Sequence, residues 1–268
     1  MFFIKPETNR HLSTQEGFTV VELVVVMVLT MLFSGMVMTF AIDYWGSETS
    51  LQSSNETLVT RQNASDTLRI NLERATGLII QNSIADPNTE VSDPSNASGS
   101  YWLALHAVPS TINMPAANTA APVFYFTAPS TDTSHNLIMN GAQPYYDEFV
   151  LYLDGSTKQL LLRTLVNPSA AGDLLQTTCP AAIASAGCPG DRIVAEEVSS
   201  VQTKYFSKSG NEINYDSIVD PNTGAYIGPD FPSVEVVEIT INITRKAIIH
   251  GTSDTTDSTT IRVAFRNG

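Results

Sequence analysis

The stretch Gly17-Phe18-Thr19-Val20-Val21-Glu22 opens an almost unbroken apolar run that continues to Ile42. The twenty residues from Leu23 to Ile42 carry no charge, which is long enough for a helix to cross a bilayer. Glu22 lies just inside this run, where a carboxylate costs roughly 2.5–3.5 kcal/mol on insertion scales. A charge at that position indicates a functional residue, and the alternative is a glutamate at the headgroup level of an ordinary signal anchor.

Basic residues flank the apolar run on one side only. Lys5 and Arg10 precede it, and the next basic residue is Arg61, so the positive-inside rule predicts that the leader stays in the cytoplasm. Tyr44 and Trp45 close the run, and their amphipathic rings favour the far membrane interface. We therefore expect a single-pass protein of the cytoplasmic (inner) membrane, with its amino terminus inside and its carboxy-terminal domain outside.

The composition argues against nucleic-acid binding and against catalysis. The formal net charge is −13 over 268 residues, whereas binding to nucleic-acid backbones needs clustered Lys and Arg. The four histidines are scattered, and the chain has no Gly-x-Ser-x-Gly, His-Glu-x-x-His, phosphate-loop or dinucleotide motif. We predict a protein that is not an enzyme, with no catalytic residue, no cofactor, no metal site and no direct nucleic-acid partner.

Two cysteines, Cys179 and Cys188, are separated by eight residues. An oxidising exterior favours a disulfide between them, worth roughly 2–3 kcal/mol for so short a loop. Metal binding is disfavoured because neither Cys-x-x-Cys spacing nor a nearby histidine is present. Two acidic loops, 86–90 and 220–224, share Asp-Pro-Asn-Thr. We interpret them as turns, and calcium binding by their oxygen atoms remains open.

After Trp45 the pattern becomes amphipathic. Positions along one stripe recur every seven residues, namely Leu51, Leu58, Ser65, Leu72 and Ile79. This spacing is typical of a helix with one apolar face. No proline occurs between Pro6 and Pro87, so we expect one long helix.

From Leu78 onwards the pattern is typical of β structure. The sequence predicts strands at 101–108 and 123–127, a hairpin of 148–153 with 158–166, a second hairpin of 198–206 with 212–215, closing strands at 234–244 and 260–265, and an exposed loop at 251–258. The apolar parity slips within 234–244, which indicates a bulge or a strand whose ends bury opposite faces. The predicted fold class is α+β, with a long amino-terminal helix, half transmembrane and half amphipathic, packed on a mostly antiparallel β-sheet domain.

A short leader, a glycine, an aromatic residue, a glutamate and an apolar segment follow one another in fixed order at the start of the chain. This junction resembles the type IV prepilin signature, which pilins, type II secretion pseudopilins and competence pseudopilins share. The resemblance implies that a prepilin peptidase cuts between Gly17 and Phe18 and methylates the new amino terminus of Phe18. It also implies that Glu22 meets the amine of a neighbouring subunit in a filament, since buried charges persist when they are paired.

The resemblance divides the chain into a leader (1–17), a transmembrane or filament-core helix (18–45), an amphipathic continuation (46–77) and an extracytoplasmic β-rich domain (78–268). The expected partners are the prepilin peptidase, other pilin or pseudopilin subunits, membrane lipid and, indirectly, an assembly platform protein and ATPase. One departure concerns the apolar segment, where many pilins carry a proline and this chain has Thr39 instead.

Short segments of the domain resemble the larger minor subunits, the W-type minor pilins and J-type minor pseudopilins. These segments are Leu151-Tyr152-Leu153-Asp154-Gly155 with Leu160-Leu161-Leu162-Arg163, Val194-Ala195-Glu196-Glu197-Val198 leading to Tyr205-Phe206 and Gly210, and Phe265-Arg266-Asn267. They favour a minor subunit that assembles into, initiates or caps a filament. The pattern leaves pilus biogenesis, type II secretion and DNA uptake open.

Two other functions remain open at the level of sequence. The first is an adhesin or ligand-binding module displayed on a filament, with loops 86–100, 128–146 and 179–188 as candidate surfaces. The second is a membrane-anchored domain that never polymerises and keeps its leader.

Overall fold

The computed structural model describes residues 19–93, 98–105, 111–213, 234–245 and 255–265. The long α-helix α1 runs from Val20 to Glu73, and a short 3₁₀ helix spans Ala181–Ile183. The strands that follow are β1 (Gly77–Ile79), β2 (Thr111–Asn113), β3 (Ala120–Pro129), β4 (Met139–Asn140), β5 (Gln143–Pro144), β6 (Tyr146–Asp154), β7 (Gln159–Leu165), β8 (Arg192–Ala195), β9 (Val198–Ser207), β10 (Glu212–Ile213), β11 (Val234–Arg245) and β12 (Thr255–Ala264). The chain divides into two compact units, Met1–Gln52 and Ser53–Gly268.

α1 contains no proline, so every residue within it keeps its backbone donor. Gly35 lies in the apolar part of the helix and does not interrupt it. The hydroxyl of Thr30 donates to the carbonyl oxygen of Val26 at 2.6 Å, and that of Thr39 donates to Gly35 at 2.8 Å. Both hydroxyls are therefore satisfied by the helix itself, which suits an apolar environment.

The first sheet has the strand order β1-β3-β6-β7-β8, and each neighbouring pair is antiparallel. β6 and β7 form the first predicted hairpin, with Leu151 opposite Leu162. Its turn passes close to another loop. A Cβ on Gly155 would lie 2.6 Å from the carbonyl oxygen of Pro115 and closer still to that of Ala116, so only glycine fits there.

The second sheet has the order β10-β9-β11-β12, and β2 also pairs with β9. All of these pairs are antiparallel, and β9 with β10 forms the second predicted hairpin. The register of β11 against β9 shifts between Val234 and Val236. Val234 and Val237 are both buried as a result. The predicted slip in parity is thus confirmed as a bulge.

The predicted strand at 101–108 is wrong for residues 101–105. Trp102 makes only an isolated bridge with Ser92, and its backbone N–H donates to the side chain of Asn82 at 2.8 Å. The backbone of this segment is satisfied by side-chain and loop partners, so it needs no neighbouring strand. Residues 106–108 lie outside the described residues.

The predicted loop at 251–258 is wrong for its last four residues, because β12 begins at Thr255. Thr255 lies opposite Arg245 and Ser258 opposite Asn242 in the ladder with β11. Threonine is β-branched and suits a pleated strand, although this stretch lacks the apolar alternation from which strands are predicted.

A buried hydrophobic cluster combines residues of both sheets with Ala64, Leu68 and Leu72 of α1. The buried side of the helix also includes Thr57, whereas Leu58 of the predicted stripe is 56% exposed. A straight helix drifts by about 20° per heptad from a seven-residue repeat, so the stripe through Leu72 leaves the buried side within two heptads. The described residues show one long, apolar amino-terminal helix and a mostly antiparallel β domain, an α+β architecture.

Candidate functional site

Glu22 lies in the first turn of α1, and its carboxylate caps the start of the helix. Its Oε2 accepts hydrogen bonds from the backbone N–H of Thr19 at 2.9 Å and from the Thr19 hydroxyl at 3.0 Å. The backbone N–H of Glu22 donates to Thr19 Oγ1 at 3.3 Å. These reciprocal bonds form a capping box. Thr-x-x-Glu before an apolar run is its sequence signature, and reasoning from the charge of Glu22 alone misses Thr19.

Gly17 and Phe18 lie outside the described residues. Cleavage between them and methylation of Phe18 therefore stay predictions. The same holds for the pairing of Glu22 with an amine, since that amine belongs to Phe18 after the cut.

The first part of α1 exposes its apolar side chains. Val20–Glu48 has a mean hydropathy of 2.4, and none of its most apolar window is buried. Phe33 is 66% exposed and Phe40 is 75% exposed. A continuous apolar surface of this kind marks contact with lipid or with other proteins. Within the described ranges, this helix alone is long and apolar enough to span a membrane, which is consistent with a single-pass membrane protein.

The predicted disulfide joins Cys179 and Cys188, whose Cα atoms lie 5.6 Å apart. Cys179 is buried, and its backbone is held on both sides. Its N–H donates to the carbonyl oxygen of Pro189 at 2.8 Å, and its own carbonyl oxygen accepts from the N–H of Asp191 at 2.9 Å. The disulfide loop therefore positions Asp191.

A buried charge cluster lies beside this loop, and sequence reasoning missed it. The side chain of Arg163 is fully buried and forms ion pairs with Asp86 at 2.8 Å and with Asp191 at 2.6 Å. Its Nη1 also donates to the carbonyl oxygen of Asn88 at 2.7 Å, and the guanidinium lies 5.4 Å from the ring centroid of Trp102. The cluster ties β7 to two loops that are distant in sequence.

The electrostatics of the cluster favour the charged state of its arginine. Burial lowers the pKa of Arg163, but its acidic neighbours, Asp191 first among them, together outweigh burial and hold that pKa above its usual value. Burial, and then the charge of Asp191, raise the pKa of Tyr152, whose hydroxyl donates to Asp191 at 2.6 Å. Burial also raises the pKa of Glu90, against the opposing effect of Arg163. The contacts of this cluster hold the β7 strand and the two loops together.

Asp86 belongs to the first Asp-Pro-Asn-Thr loop, and hydrogen bonds within the protein occupy both of its carboxylate oxygens. Oδ1 accepts from the N–H of Asn88 at 2.9 Å, and Oδ2 accepts from Trp102 Nε1 and from Arg163, each at 2.8 Å. Turn chemistry and an ion pair account for this residue. In the ranges that the structure describes, no group of three or more His, Cys, Asp or Glu could hold a metal ion. The second loop lies outside those ranges.

No known family model matches the chain, and comparisons with characterised proteins and with solved structures also find no match. Function is therefore inferred from the residues themselves. The helix start offers a capped carboxylate beside an exposed apolar surface, whereas the Arg163 cluster is closed to solvent. Of these two places, the helix start is the one that another molecule can reach.

Proposed function

We propose that this chain is a minor pilin or pseudopilin, a non-enzymatic subunit that assembles into, initiates or caps a type IV pilus-like filament. The observation that carries the proposal is the order of Gly17, Phe18 and Glu22 in the sequence, together with the exposed apolar side chains of α1. An exposed apolar surface of this kind is covered by lipid before assembly and by other subunits in the filament.

The proposed mechanism starts with the chain anchored in the cytoplasmic membrane, its leader inside and its β domain outside. A prepilin peptidase cuts after Gly17 and methylates Phe18. In the filament the apolar part of α1 packs with the helices of other subunits, while the second half of the helix packs on the β domain at the exterior. Glu22 then pairs with the amine of a neighbouring Phe18, which sets the axial register of the subunit.

The capping box gives Glu22 a partner while it waits for that amine. A carboxylate without any partner in an apolar environment is costly, and the Thr19 N–H and hydroxyl reduce that cost within one chain. Pairing with a positive amine adds an interaction between opposite charges, which is much stronger where water is excluded. The assembly ATPase and platform protein supply the work of extraction, in pilus biogenesis, type II secretion or DNA uptake alike.

Two variants separate the charge of Glu22 from its role as a cap. Glu22→Gln keeps an oxygen that accepts the Thr19 N–H but removes the charge, whereas Thr19→Ala removes the hydroxyl and keeps the charge. We expect both variants to be cut and methylated like the wild type, which mass spectrometry of the amino terminus measures. Glu22→Gln should be depleted about tenfold from sheared filaments, equivalent to about 1.4 kcal/mol, while Thr19→Ala should be incorporated nearly normally.

Normal incorporation of Glu22→Gln would refute the charge pairing. Depletion of Thr19→Ala to the same extent would contradict the reasoning too, because that variant keeps the charge and loses only the hydrogen bonds of the Thr19 hydroxyl. An intact leader on the wild-type protein would contradict the whole proposal and favour the anchored domain that does not polymerise.

A further inference from the structure

A cavity of about 440 Å³ opens at one end of the first sheet. Its lining includes Thr127 of β3 and Glu148 of β6, together with Asn140, Tyr145 and Tyr146. The volume lies within the range of small-molecule sites in proteins. Every lining residue belongs to the unit Ser53–Gly268, so the cavity is a feature of the β-rich part alone.

The register of the sheet explains why Thr127 and Glu148 reach the same cavity. Gly77, Thr127 and Glu148 lie directly opposite one another across β1, β3 and β6, and residues opposite one another in antiparallel strands point to the same face. Thr127 and Glu148 therefore line the cavity from the same face of the sheet.

Glu148 is buried, with 5% of its surface exposed, and its hydrogen-bond donors are all neutral. Oε2 accepts from the backbone N–H groups of Ser83 at 2.8 Å and Ile84 at 2.9 Å, and Oε1 accepts from the Ser83 hydroxyl at 2.6 Å. Among the described residues, no basic nitrogen forms an ion pair with it within 4.0 Å. The buried carboxylates of Asp86 and Asp191, in contrast, share an arginine. Glu148 is thus positioned by hydrogen bonds, and no basic side chain in the described part of the chain supplies its counter-charge.

The other lining groups complement a cation that carries carbon. Tyr145 and Tyr146 provide aromatic rings, which attract cations to their faces. Ile79, Ile84 and Pro144 add apolar surface, and the described residues that line the cavity include no lysine, arginine or histidine. An anion would meet an unmatched carboxylate and no positive group, so this lining selects against anions.

We propose that this cavity binds a small organic ammonium ion, with Glu148 as its counter-charge and the tyrosine rings beside its carbon atoms. The ammonium group of choline or ethanolamine has the required charge and size, either as a free molecule or as part of a lipid headgroup. This site is independent of filament assembly, because none of its residues belongs to the apolar part of α1.

The test uses the full chain in a non-ionic detergent, with choline chloride as the probe and ligand-observed NMR as the measurement. The uncharged carbon isostere dimethylbutanol has the shape of choline without its charge. Choline should bind at least about tenfold more tightly than this isostere. Added salt should lower the affinity for choline and leave the affinity for the isostere unchanged. Glycerophosphocholine distinguishes a lipid headgroup from a free amine as the ligand. If it binds, the site accepts a lipid headgroup, and if it does not bind, the site takes a free amine.

Glu148→Gln should lower choline affinity about tenfold, and Tyr146→Leu should lower it by a smaller factor. Glu212→Gln removes an exposed carboxylate on β10 and serves as the matched control, with unchanged affinity. Melting curves of each variant establish that it is folded. If Glu148→Gln is unstable, the choline–dimethylbutanol comparison on the wild type still decides. Equal binding of the two probes, no binding of choline, or unchanged affinity in a folded Glu148→Gln protein would overturn the proposal.

Discussion

Replacing Arg163 by methionine tests whether the buried charge cluster stabilises the fold. Methionine retains much of the apolar length of the side chain but removes the guanidinium, so Asp86 and Asp191 lose their shared counter-charge. Both carboxylates are buried, with 0% and 2% of their side-chain surface exposed. Water cannot replace the lost cation at either carboxylate without opening the structure.

The expected loss of stability follows from the hydrogen bonds that the two carboxylates keep in the variant. Removing one partner of a buried ion pair costs roughly 3–5 kcal/mol. Asp191 keeps hydrogen bonds from the hydroxyls of Tyr152 and Thr178, and Asp86 keeps the bond from Trp102 Nε1. These donors still stabilise the two carboxylates. We therefore expect the free energy of unfolding to fall by about 4 kcal/mol in total, and not by about 4 kcal/mol for each carboxylate. For a protein of this size the melting midpoint should fall by roughly 8–16 °C.

The assay is thermal unfolding of the full chain in non-ionic detergent, followed by circular dichroism and by tryptophan fluorescence, to which the buried Trp102 contributes. Arg69→Met is the matched control, because Arg69 forms an exposed pair with Glu73 on α1, and the midpoint should hardly change. Adding Asp86→Asn and Asp191→Asn to Arg163→Met removes the stranded charges and should recover much of the loss. The reasoning would be refuted if the stability of Arg163→Met lay within about 1 kcal/mol of that of the wild type. It would also be refuted if the triple variant recovered none of the lost stability.

Two further predictions concern Asp147 and Gly155. Burial raises the pKa of Asp147 to about 6 from an ordinary 3.8, so the folded protein binds this proton more tightly and the cost of charging appears as the pH rises through that interval. Above about pH 7, Asp147→Asn should therefore raise the free energy of unfolding by up to about 3 kcal/mol. Near pH 4 it should have little effect, and denaturant unfolding at both pH values measures the difference. A gain in stability that does not depend on pH would contradict this prediction. Gly155→Ala should lower stability by about 1–3 kcal/mol because its Cβ meets the carbonyl oxygen of Ala116. Gly187→Ala, where a Cβ meets nothing within 4 Å, is the control, and equal melting midpoints for the two would count against the clash.

The parts of the fold that depend on neighbouring residues could be predicted from the sequence. The apolar helix follows from length and hydropathy, and the hairpin around Gly155 follows from a turn signal between apolar strands. The bulge near Val234 could be predicted because a slip in parity is visible in the pattern itself. Thr19 could also have been identified, since its capping motif is local.

Prediction was less successful where backbone partners come from elsewhere. Trp102 lies in a stretch with strand-forming residues, yet Asn82 and a loop take its hydrogen bonds. The exposure of Leu58 shows the same limit on the helix, because a heptad stripe gives only the spacing and not the face that the sheets cover.

The amino-acid pattern was enough to predict the apolar helix, the acidic Glu22 at its start, the pairing of the two cysteines and the antiparallel hairpins. Each of these depends on residues close in the chain. A lone arginine in the apolar strand β7 indicates that Arg163 needs a partner, but the tertiary structure decided that Asp86, 77 residues away, supplies it. It also decided that Glu148 lines a cavity and has no ion-pair partner in the ranges that the structure describes. Burial and the pairing of charges are set by segments that meet only when the sheets form, so a linear pattern does not contain them.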